Sequence, residues 1–270
     1  MSEWRLPCDV AGESPKTRGE GPSRVAPPRV SRLHGDVQAQ AREGYRGTGP
    51  GDITPDGCPV ELYARLPVGD EPDVIAAAVP PPARLLELGS GAGRVTHALL
   101  ERGFEVTAVD ESPAMLERIH GARTVASPIE TLDLADRFDV VLLASFLVHA
   151  GDPRVRQDLL ETCRRHVADR GCVLVQREGA DWHDQVPRET RRGDGVVRVL
   201  SSEDVGDGVR SVEVEYVFPD ARWTHTFRSR PLSTEAFEQA LRDAGLVVER
   251  YLTPDGTWVQ ARPAAPGEDA

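Results

Sequence analysis

The stretch that decides the fold reads Leu85-Leu86-Glu87-Leu88-Gly89-Ser90-Gly91-Ala92-Gly93-Arg94-Val95. An apolar run leads into closely spaced glycines, and an amphipathic segment follows at 95–102. This order predicts a buried strand, a tight turn that lets the backbone approach a ligand, and a helix. In a doubly wound sheet, the first such turn lies at the carboxyl edge of the strands, where ligands bind. We therefore expect a nucleoside site at this turn.

Apolar runs alternate with helical segments on both sides of the turn. The predicted strands are 84–88, 105–109, 124–126, 138–144 and 172–176. The predicted helices are 60–66, 73–79, 95–102, 113–119 and 155–167. A repeated order of strand and helix is typical of a parallel sheet in an α/β fold.

The segment from 195 to 230 departs from this rhythm. Three runs, 195–203, 210–218 and 222–230, alternate apolar and polar residues in the manner of antiparallel strands. A helix at 234–244 and two strands at 246–252 and 257–261 are predicted to complete the fold. The sequence thus predicts an antiparallel insertion within a mostly parallel sheet.

Position 94 separates two classes of cofactor. The dinucleotide fingerprint G-x-G-x-x-G requires glycine there, and this chain has Arg94. Seventeen residues beyond Gly93 the second strand ends in Asp110-Glu111, and a carboxylate can accept two hydrogen bonds from a ribose diol. An NAD(P)-dependent oxidoreductase remains an alternative, opposed by Arg94 and by the lack of a Tyr-x-x-x-Lys pair.

With these residues the sequence resembles the class I S-adenosylmethionine (SAM)-dependent methyltransferases of the small-molecule type, over roughly residues 60–262. The first motif of that family reads acid-x-Gly-x-Gly-x-Gly, and its second strand ends in Asp or Glu. The resemblance implies an α/β, Rossmann-like, doubly wound, mostly parallel seven-stranded sheet with an antiparallel β cap insertion at about 180–230. It also implies SAM as the cofactor and a small molecule as the methyl acceptor.

The resemblance further implies which residues bind the cofactor. They are Tyr63, Glu87, Gly89, Ser90, Gly91, Gly93, Asp110, Glu111, Met115, Ile129, Glu130 and Ser145. In this family Glu87 would help hold the α-ammonium of methionine, Asp110 the ribose, and Met115 the adenine ring. Each has a plainer alternative, because Glu87 could be a structural acid, Met115 a core residue and Tyr63 an ordinary packing residue.

Acceptor chemistry is expected at the end of the fourth strand, 144–147. Nucleic-acid and glutamine N-methyltransferases of the family carry Asn/Asp-Pro-Pro-aromatic at that place, whereas this chain has Ala-Ser-Phe-Leu. An adenine or amide acceptor therefore loses its main support. The sequence leaves open a transfer to an amine or to a hydroxyl.

Two histidines are candidates for a catalytic base, because a neutral imidazole with a pKa near ~6.5 accepts protons at neutral pH. His149 follows the fourth strand and His183 the fifth, and their alternatives are a histidine satisfied by backbone groups and an exposed loop histidine. Phe146, Tyr216 and His225 are predicted to line the acceptor pocket. The alternative for the cap residues is an ordinary role in the core of a sheet.

Composition excludes several classes of partner. The chain has 32 basic and 44 acidic side chains, a formal charge of −12, and no basic cluster, which disfavours nucleic acid. No run approaches the roughly 18 apolar residues of a spanning helix, so no membrane partner is expected. The four scattered cysteines favour a cytoplasmic location. We expect no metal site and a monomer or homodimer.

Glycine and proline set the expected domain limits, since they make up 17 of the first 59 residues. Residues 1–57 are predicted to be a flexible N-terminal extension, although such an arm could fold over a ligand. Residues 58–262 would form the methyltransferase domain, and 263–270 a disordered tail. The expected function is methyl transfer from SAM to a small metabolite, with a non-catalytic SAM-binding module as the main alternative.

Overall fold

The computed structural model describes residues 41–265 of the chain. They form twelve strands, six α-helices and one 3-10 helix, Leu147–His149. The strands are β1 (Arg46–Thr48), β2 (Arg84–Leu88), β3 (Glu105–Asp110), β4 (Arg123–Ala126), β5 (Phe138–Leu143), β6 (Val167–Gln176), β7 (Arg188–Arg192), β8 (Gly195–Asp204), β9 (Arg210–Val217), β10 (Arg222–Ser229), β11 (Leu246–Tyr251) and β12 (Trp258–Pro263). The helices are α1 (Val60–Tyr63), α2 (Glu71–Ala78), α3 (Arg94–Glu101), α4 (Pro113–Leu116), α5 (Pro153–His166) and α6 (Thr234–Asp243).

The larger sheet has seven strands in the order β11-β12-β6-β5-β2-β3-β4. From β6 to β4 all neighbours are parallel, and β11 and β12 are antiparallel to their neighbours. This confirms the predicted fold class. Strand β2 pairs with β3 on one side and with β5 on the other, so the chain changes direction across the sheet beside β2. A ligand site is expected at the carboxyl end of such a strand.

Two cores cover the two faces of this sheet. Leu86 of β2 packs in a cluster with Leu160 of α5 and Phe237 of α6, whereas Leu85 packs in a second cluster with Leu99 of α3. All five side chains are fully buried. Burial of each stabilises the fold by about 1.5–3 kcal/mol. The cores therefore hold β2, and with it the turn that follows, between helices on both faces.

The smaller sheet is antiparallel, in the order β1-β10-β9-β8-β7, and includes the predicted cap insertion. Its strand β7 was not predicted, since four of its five residues are exposed and charged or polar. Strand β1 was not predicted either. It comes from the segment before residue 57 and pairs with β10, with Gly47 opposite His225.

The predicted flexibility of the N-terminal extension is wrong for its described part. Residues 46–48 form a strand, and the indole nitrogen of Trp223 donates to the carbonyl of Pro50 at 2.9 Å. Glycine is required at position 47, because a Cβ there would lie 2.1 Å from the carbonyl oxygen of Gly57. The glycines of this stretch thus serve close backbone packing. Residues 1–40 of the predicted extension lie outside the described residues.

The C-terminal boundary also differs slightly from the prediction. Strand β12 reaches Pro263, and the amide of Ala264 donates to the carbonyl of Gly245 at 3.0 Å. The first residues of the predicted tail are therefore held by the fold. Residues 266–270 of that tail lie outside the described residues.

Candidate active site

The turn between β2 and α3 is built on glycines with left-handed backbone. Gly89 has φ +72° and Gly91 has φ +54°, a region that side chains disfavour. The amides of Gly89 and Ser90 both donate to the carbonyl of Val109 at 2.9 Å, which ties the turn to β3. A Cβ on Gly91 would meet no atom within 4 Å. Space for a ligand therefore lies directly in front of Gly91.

Gly93 closes this turn and begins α3. It has φ +85°, and a Cβ there would lie 2.8 Å from Cγ1 of Ile119. The next residue, Arg94, pairs with Glu71 of α2 at 2.7 Å. Its side chain is thereby anchored outside the turn, where a dinucleotide fingerprint would have a glycine.

Asp110, at the end of β3, faces the turn. Its Oδ2 accepts from the amide of Gly91 at 2.8 Å, and its Oδ1 accepts from the amide of Ser112 at 2.9 Å. Burial raises the pKa of Asp110 to about 6, although these two hydrogen bonds act in the opposite direction. Each oxygen retains capacity for a further donor, so the carboxylate can bind a diol beside the turn.

Two further polar groups near the turn lack full compensation. The hydroxyl oxygen of Ser90 is buried and has no hydrogen-bond partner among residues 41–265. Glu87 is 4% exposed, and its Oε2 accepts a hydrogen bond of 2.6 Å from Thr96. Burial raises the pKa of Glu87 to about 7. A cationic, hydrogen-bonding ligand such as the amino-acid part of SAM fits this pair of groups.

Met115 follows Asp110 in the short helix α4. It is 2% exposed and packs in a cluster with Val60 of α1 and Ala92 of the turn. The hydroxyl of Ser112 caps α4 by accepting from the amide of Met115 at 3.4 Å. Met115 thus lies on the donor side of the site, and its predicted contact with adenine stays a prediction.

Arg42 spans two carboxylates of the predicted donor site. It pairs with Glu111 at 3.0 Å and with Glu130 at 3.4 Å. Ile129, beside Glu130, packs against the α5 side of the large sheet, and its carbonyl accepts from Thr162 at 3.0 Å. No pattern in the sequence points to Arg42, because it lies in the glycine-rich segment before β1.

The backbone after β5 is unusual. Ser145 has φ 54° and Phe146 has φ 62°, which is uncommon for residues with side chains. The amide of Ser145 donates to the side-chain oxygen of Gln176 at 2.9 Å, which helps to hold this conformation. Such strain is concentrated at functional sites. Its position, at the carboxyl end of the central strands, is where methyl transfer was expected.

A row of aromatic rings leads from this loop to the cap. We call Phe146, Trp182, Phe227 and His225 the aromatic row. The ring centroids of Phe146 and Trp182 are 6.4 Å apart, those of Trp182 and Phe227 are 6.5 Å apart, and those of Phe227 and His225 are 5.1 Å apart. The structure therefore links the predicted acceptor residues Phe146 and His225 through neighbouring rings, of which Trp182 and Phe227 also pack against Val199, Val212 and Val214. Trp182 and Phe227 were not predicted as site residues.

His225 presents one free ring nitrogen. Its Nε2 lies 3.0 Å from the carbonyl oxygen of Asp56, and since a carbonyl can only accept, Nε2 carries the proton. No residue among 41–265 donates to Nδ1, which therefore keeps its lone pair. The residue is 6% exposed, and burial lowers the pKa of His225 below its usual value. The ring is thus a neutral imidazole at pH 7.

His149 contrasts with His225, because both of its ring nitrogens are occupied. Nδ1 donates to the carbonyl of Arg230 at 3.0 Å, and Nε2 accepts from the amide of Glu178 at 3.0 Å. Burial lowers the pKa of His149. A base needs a free lone pair, so this geometry does not support the predicted catalytic role, which stays a prediction. Oε2 of Glu178 also lies 3.2 Å from Nδ1 of His149.

His183 also has partners on both nitrogens. Nε2 lies 2.8 Å from Oε2 of Glu178, and Nδ1 lies 2.8 Å from the hydroxyl of Ser202. The hydroxyl of Ser229 donates to the other oxygen of Glu178 at 2.8 Å. His183 is buried, so it is not an exposed loop residue. The cluster joins the end of β6 to β8 and β10, and its geometry does not support a catalytic role for His183.

Tyr63 and Tyr216 meet between the donor side and the cap. Both tyrosines pack against the cluster of Leu62, Phe218 and Trp223, and burial raises the pKa of both. The thiol of Cys58 donates to Oδ2 of Asp56 at 3.4 Å. Sequence reasoning missed Asp56 and Cys58, because only the tertiary fold brings this segment to the site.

Residues 41–265, the part of the chain that the structure describes, contain neither a membrane-spanning helix nor a cluster of metal ligands. Within them, no helix has the length and apolar character needed to cross a membrane. Nor does that part of the chain contain three or more His, Cys, Asp or Glu side chains arranged to hold a metal ion.

Comparisons with known proteins agree with this geometry. A family described as a methyltransferase domain matches residues 62–251. An uncharacterised methyltransferase of Mycobacterium tuberculosis (strain ATCC 25618 / H37Rv) is 39% identical over 94 residues, which are 33% of this chain and 39% of that protein. A ubiquinone biosynthesis O-methyltransferase of Xylella fastidiosa (strain 9a5c) is 34% identical over 132 residues, which are 45% of this chain and 52% of that protein. The chain spans about half the length of these relatives or less.

A solved structure shares the fold. The SAM-dependent methyltransferase from Clostridium acetobutylicum ATCC 824 superposes with a TM-score of 0.63 at 14% identity, covering 76% of this chain and 95% of that one. The domain match extends over more than half of the chain and includes the turn at Gly91, Asp110 and the cap. The protein therefore belongs to the SAM-dependent methyltransferase family.

Proposed function

We propose that the protein transfers a methyl group from SAM to an amine or hydroxyl of a small metabolite. One observation carries the proposal. His225, a neutral histidine with a free ring nitrogen, belongs to the aromatic row that begins at the strained loop after β5. A hydroxyl acceptor has additional support from the name of the Xylella fastidiosa relative, an O-methyltransferase, although the match covers 45% of this chain.

On the donor side, the chain's own groups would hold and orient the cofactor, which when bound supplies an electrophilic methyl group. Asp110 would accept from the ribose diol, and Glu87 would pair with the α-ammonium. The unpartnered hydroxyl of Ser90 would gain a hydrogen-bond partner. Open space in front of Gly91 allows the backbone amides to approach the ligand.

On the acceptor side, alignment is the main contribution that the protein can make. Holding two reactants in line is worth up to about 7–11 kcal/mol in well-oriented systems. The acceptor's N–H or O–H proton must also leave, and we propose that Nδ1 of His225 receives it. The resulting imidazolium would keep its Nε2 hydrogen bond to Asp56, and solvent would then remove the proton.

Calorimetric titration with SAM and S-adenosylhomocysteine tests the donor half. We expect binding of both, and a loss of at least about tenfold in affinity in Asp110→Ala, which removes a charged hydrogen-bond acceptor. Asp243→Asn, an acid at the end of α6, is the matched control and should bind as the wild type does. Absence of binding, or equal binding by Asp110→Ala, contradicts the proposal.

A screen of metabolite extracts with methyl-labelled SAM tests the acceptor half. The label should appear on a small molecule bearing an amine or hydroxyl. A protein that binds SAM and transfers no label to any fraction would instead be a cofactor-binding module. Label on macromolecules alone would also contradict the proposed acceptor class.

A further inference from the structure

A cavity of about 730 Å³ lies beside the donor side of the site. Its wall includes Glu130, which Arg42 links to Glu111 of the donor site, together with Gly151 before α5 and Arg228 and Arg230 around the end of β10. The cavity is large enough for a small metabolite. The cavity takes no part in the proposed methyl transfer.

Arg228 has an uncompensated cationic group at this cavity. Its Nη1 is buried and has no hydrogen-bond partner among residues 41–265. No carboxylate of those residues forms an ion pair with it either, and the hydroxyl of Tyr45 donates to its backbone carbonyl at 3.3 Å. Arg228 is half-buried, and a buried polar nitrogen without a partner is uncommon in native proteins. Such a group indicates a missing partner.

Two more arginines, Arg230 of the cavity wall and its neighbour Arg156, form no ion pair with a carboxylate of the described residues. The Nε of Arg230 donates to the carbonyl of Gly151 at 3.1 Å, and its Nη1 donates to the carbonyl of Asp207. Arg156 lies in the first turns of α5, and its Nη1 is also buried without a partner. Burial and the charge of Arg230 lower the pKa of Arg156. Positive charge is thus concentrated at this place.

The acidic residues that line the cavity do not neutralise these arginines. Glu130 is paired with Arg42 at 3.4 Å, and Oδ1 of Asp152 accepts from the amide of Arg154 at 2.9 Å. Glu43 and Asp207 are exposed to solvent. Arg228 and Arg230 therefore form a part of the wall that has no carboxylate partner among the described residues.

We propose that this cavity binds a small anionic molecule through its carboxylate or phosphate group. The guanidinium of Arg228 offers the paired donors that such oxygens accept, and Arg230 supplies a second positive charge. This anion site does not depend on the proposed function. Side chains alternate between the two faces of a strand, so Arg228 lies on the face of β10 opposite to His225 and Phe227, and the anion site is separate from the aromatic row.

Titration at low salt with inorganic phosphate and with succinate tests the anion site. The wild type should bind at least one of them, and Arg228→Met should bind it at least about tenfold more weakly. Arg222→Met is the matched control, because Arg222 lies on the same strand and pairs instead with Glu215 at 3.0 Å. The preferred probe distinguishes a phosphate from a carboxylate. No binding by the wild type, or equal binding by Arg228→Met, overturns the proposal.

Two further measurements separate the causes of failure. Arg228→Lys, which keeps the charge but loses the paired donors, should bind the probe with intermediate affinity, so a loss in Arg228→Met cannot be attributed to misfolding alone. S-adenosylhomocysteine is titrated into the same samples. Its binding without anion binding overturns this inference only, whereas anion binding without it contradicts the proposed function only.

Discussion

The difference between His225 and His149 comes from what the backbone offers to each ring. Around His225 one carbonyl fixes the proton on Nε2 and leaves the other nitrogen free. Around His149 a carbonyl and an amide together use both nitrogens. Burial lowers the pKa of both histidines, so both rings are neutral at pH 7. In this arrangement only His225 has a ring nitrogen with a free lone pair.

His225→Gln is therefore expected to lose turnover while keeping its structure. The glutamine amide can still donate to Asp56, but it has no basic nitrogen, so kcat should fall by about 10²–10⁴-fold. The affinity for S-adenosylhomocysteine should not change. His120→Gln, at an exposed position, is the control. An unchanged kcat in His225→Gln would remove the proposed role.

The proposed role of His225 predicts that kcat/KM depends on pH. Only the neutral ring accepts a proton, and burial lowers the pKa of His225, so wild-type kcat/KM should fall as the pH drops through a value below the usual ~6.5. His225→Gln should lack this acidic limb. The pH profiles of both proteins, measured with saturating SAM, check this expectation.

At the scale of elements, local periodicity was enough to predict every strand of the large sheet. Strand β2 was predicted with its observed bounds, because its residues are buried on both faces and a glycine turn follows. Strand β1 could not be predicted. It has three residues, two of them exposed, and its strand character depends on pairing with β10, which lies far away in sequence.

Gly47→Ala is expected to detach β1 from the cap sheet. The added Cβ would lie 2.1 Å from the carbonyl of Gly57, so the backbone must shift, at a cost of about 1–3 kcal/mol in the free energy of unfolding. Gly179→Ala is the control, since its Cβ would approach no atom closer than 3.8 Å. Urea unfolding measures the free energy, and hydrogen exchange should rise in residues 42–58. Equal stability and exchange in the two variants would contradict the expected clash.

At the scale of the whole molecule, the two halves of the site differ in how far sequence predicts them. The proposed donor half depends on one turn and one carboxylate, Asp110, whose spacing in sequence resembles the family's motif. The proposed acceptor half combines the β5 loop, the cap and the segment before α1. Asp56 and Arg42 belong to that last segment, and no local pattern relates them to the residues that they contact.

Arg42→Ala tests whether this segment controls access to the donor site. Arg42 ties residues 42–58 to Glu111 and Glu130, and each exposed pair is worth about 0–1 kcal/mol. Loss of both pairs should make association and dissociation of S-adenosylhomocysteine several-fold faster, with Kd changed less than either rate. Stopped-flow fluorescence measures the rates, and Arg65→Ala, whose partner is Asp220, is the control. Rates equal to the wild type's would show that the segment is no barrier.

The pairing of Gly47 with His225 connects the binding of the cofactor with the protonation state of the histidine ring. Strand β1 pairs with the strand of His225, and the carbonyl of Asp56 fixes the tautomer of that histidine. Both belong to residues 42–58, the segment that Arg42 links to Glu111 and Glu130. If that segment moves aside when the cofactor binds, it withdraws the carbonyl that fixes the tautomer of His225. In the proposed mechanism the histidine would then be ready to accept a proton only after the segment has returned.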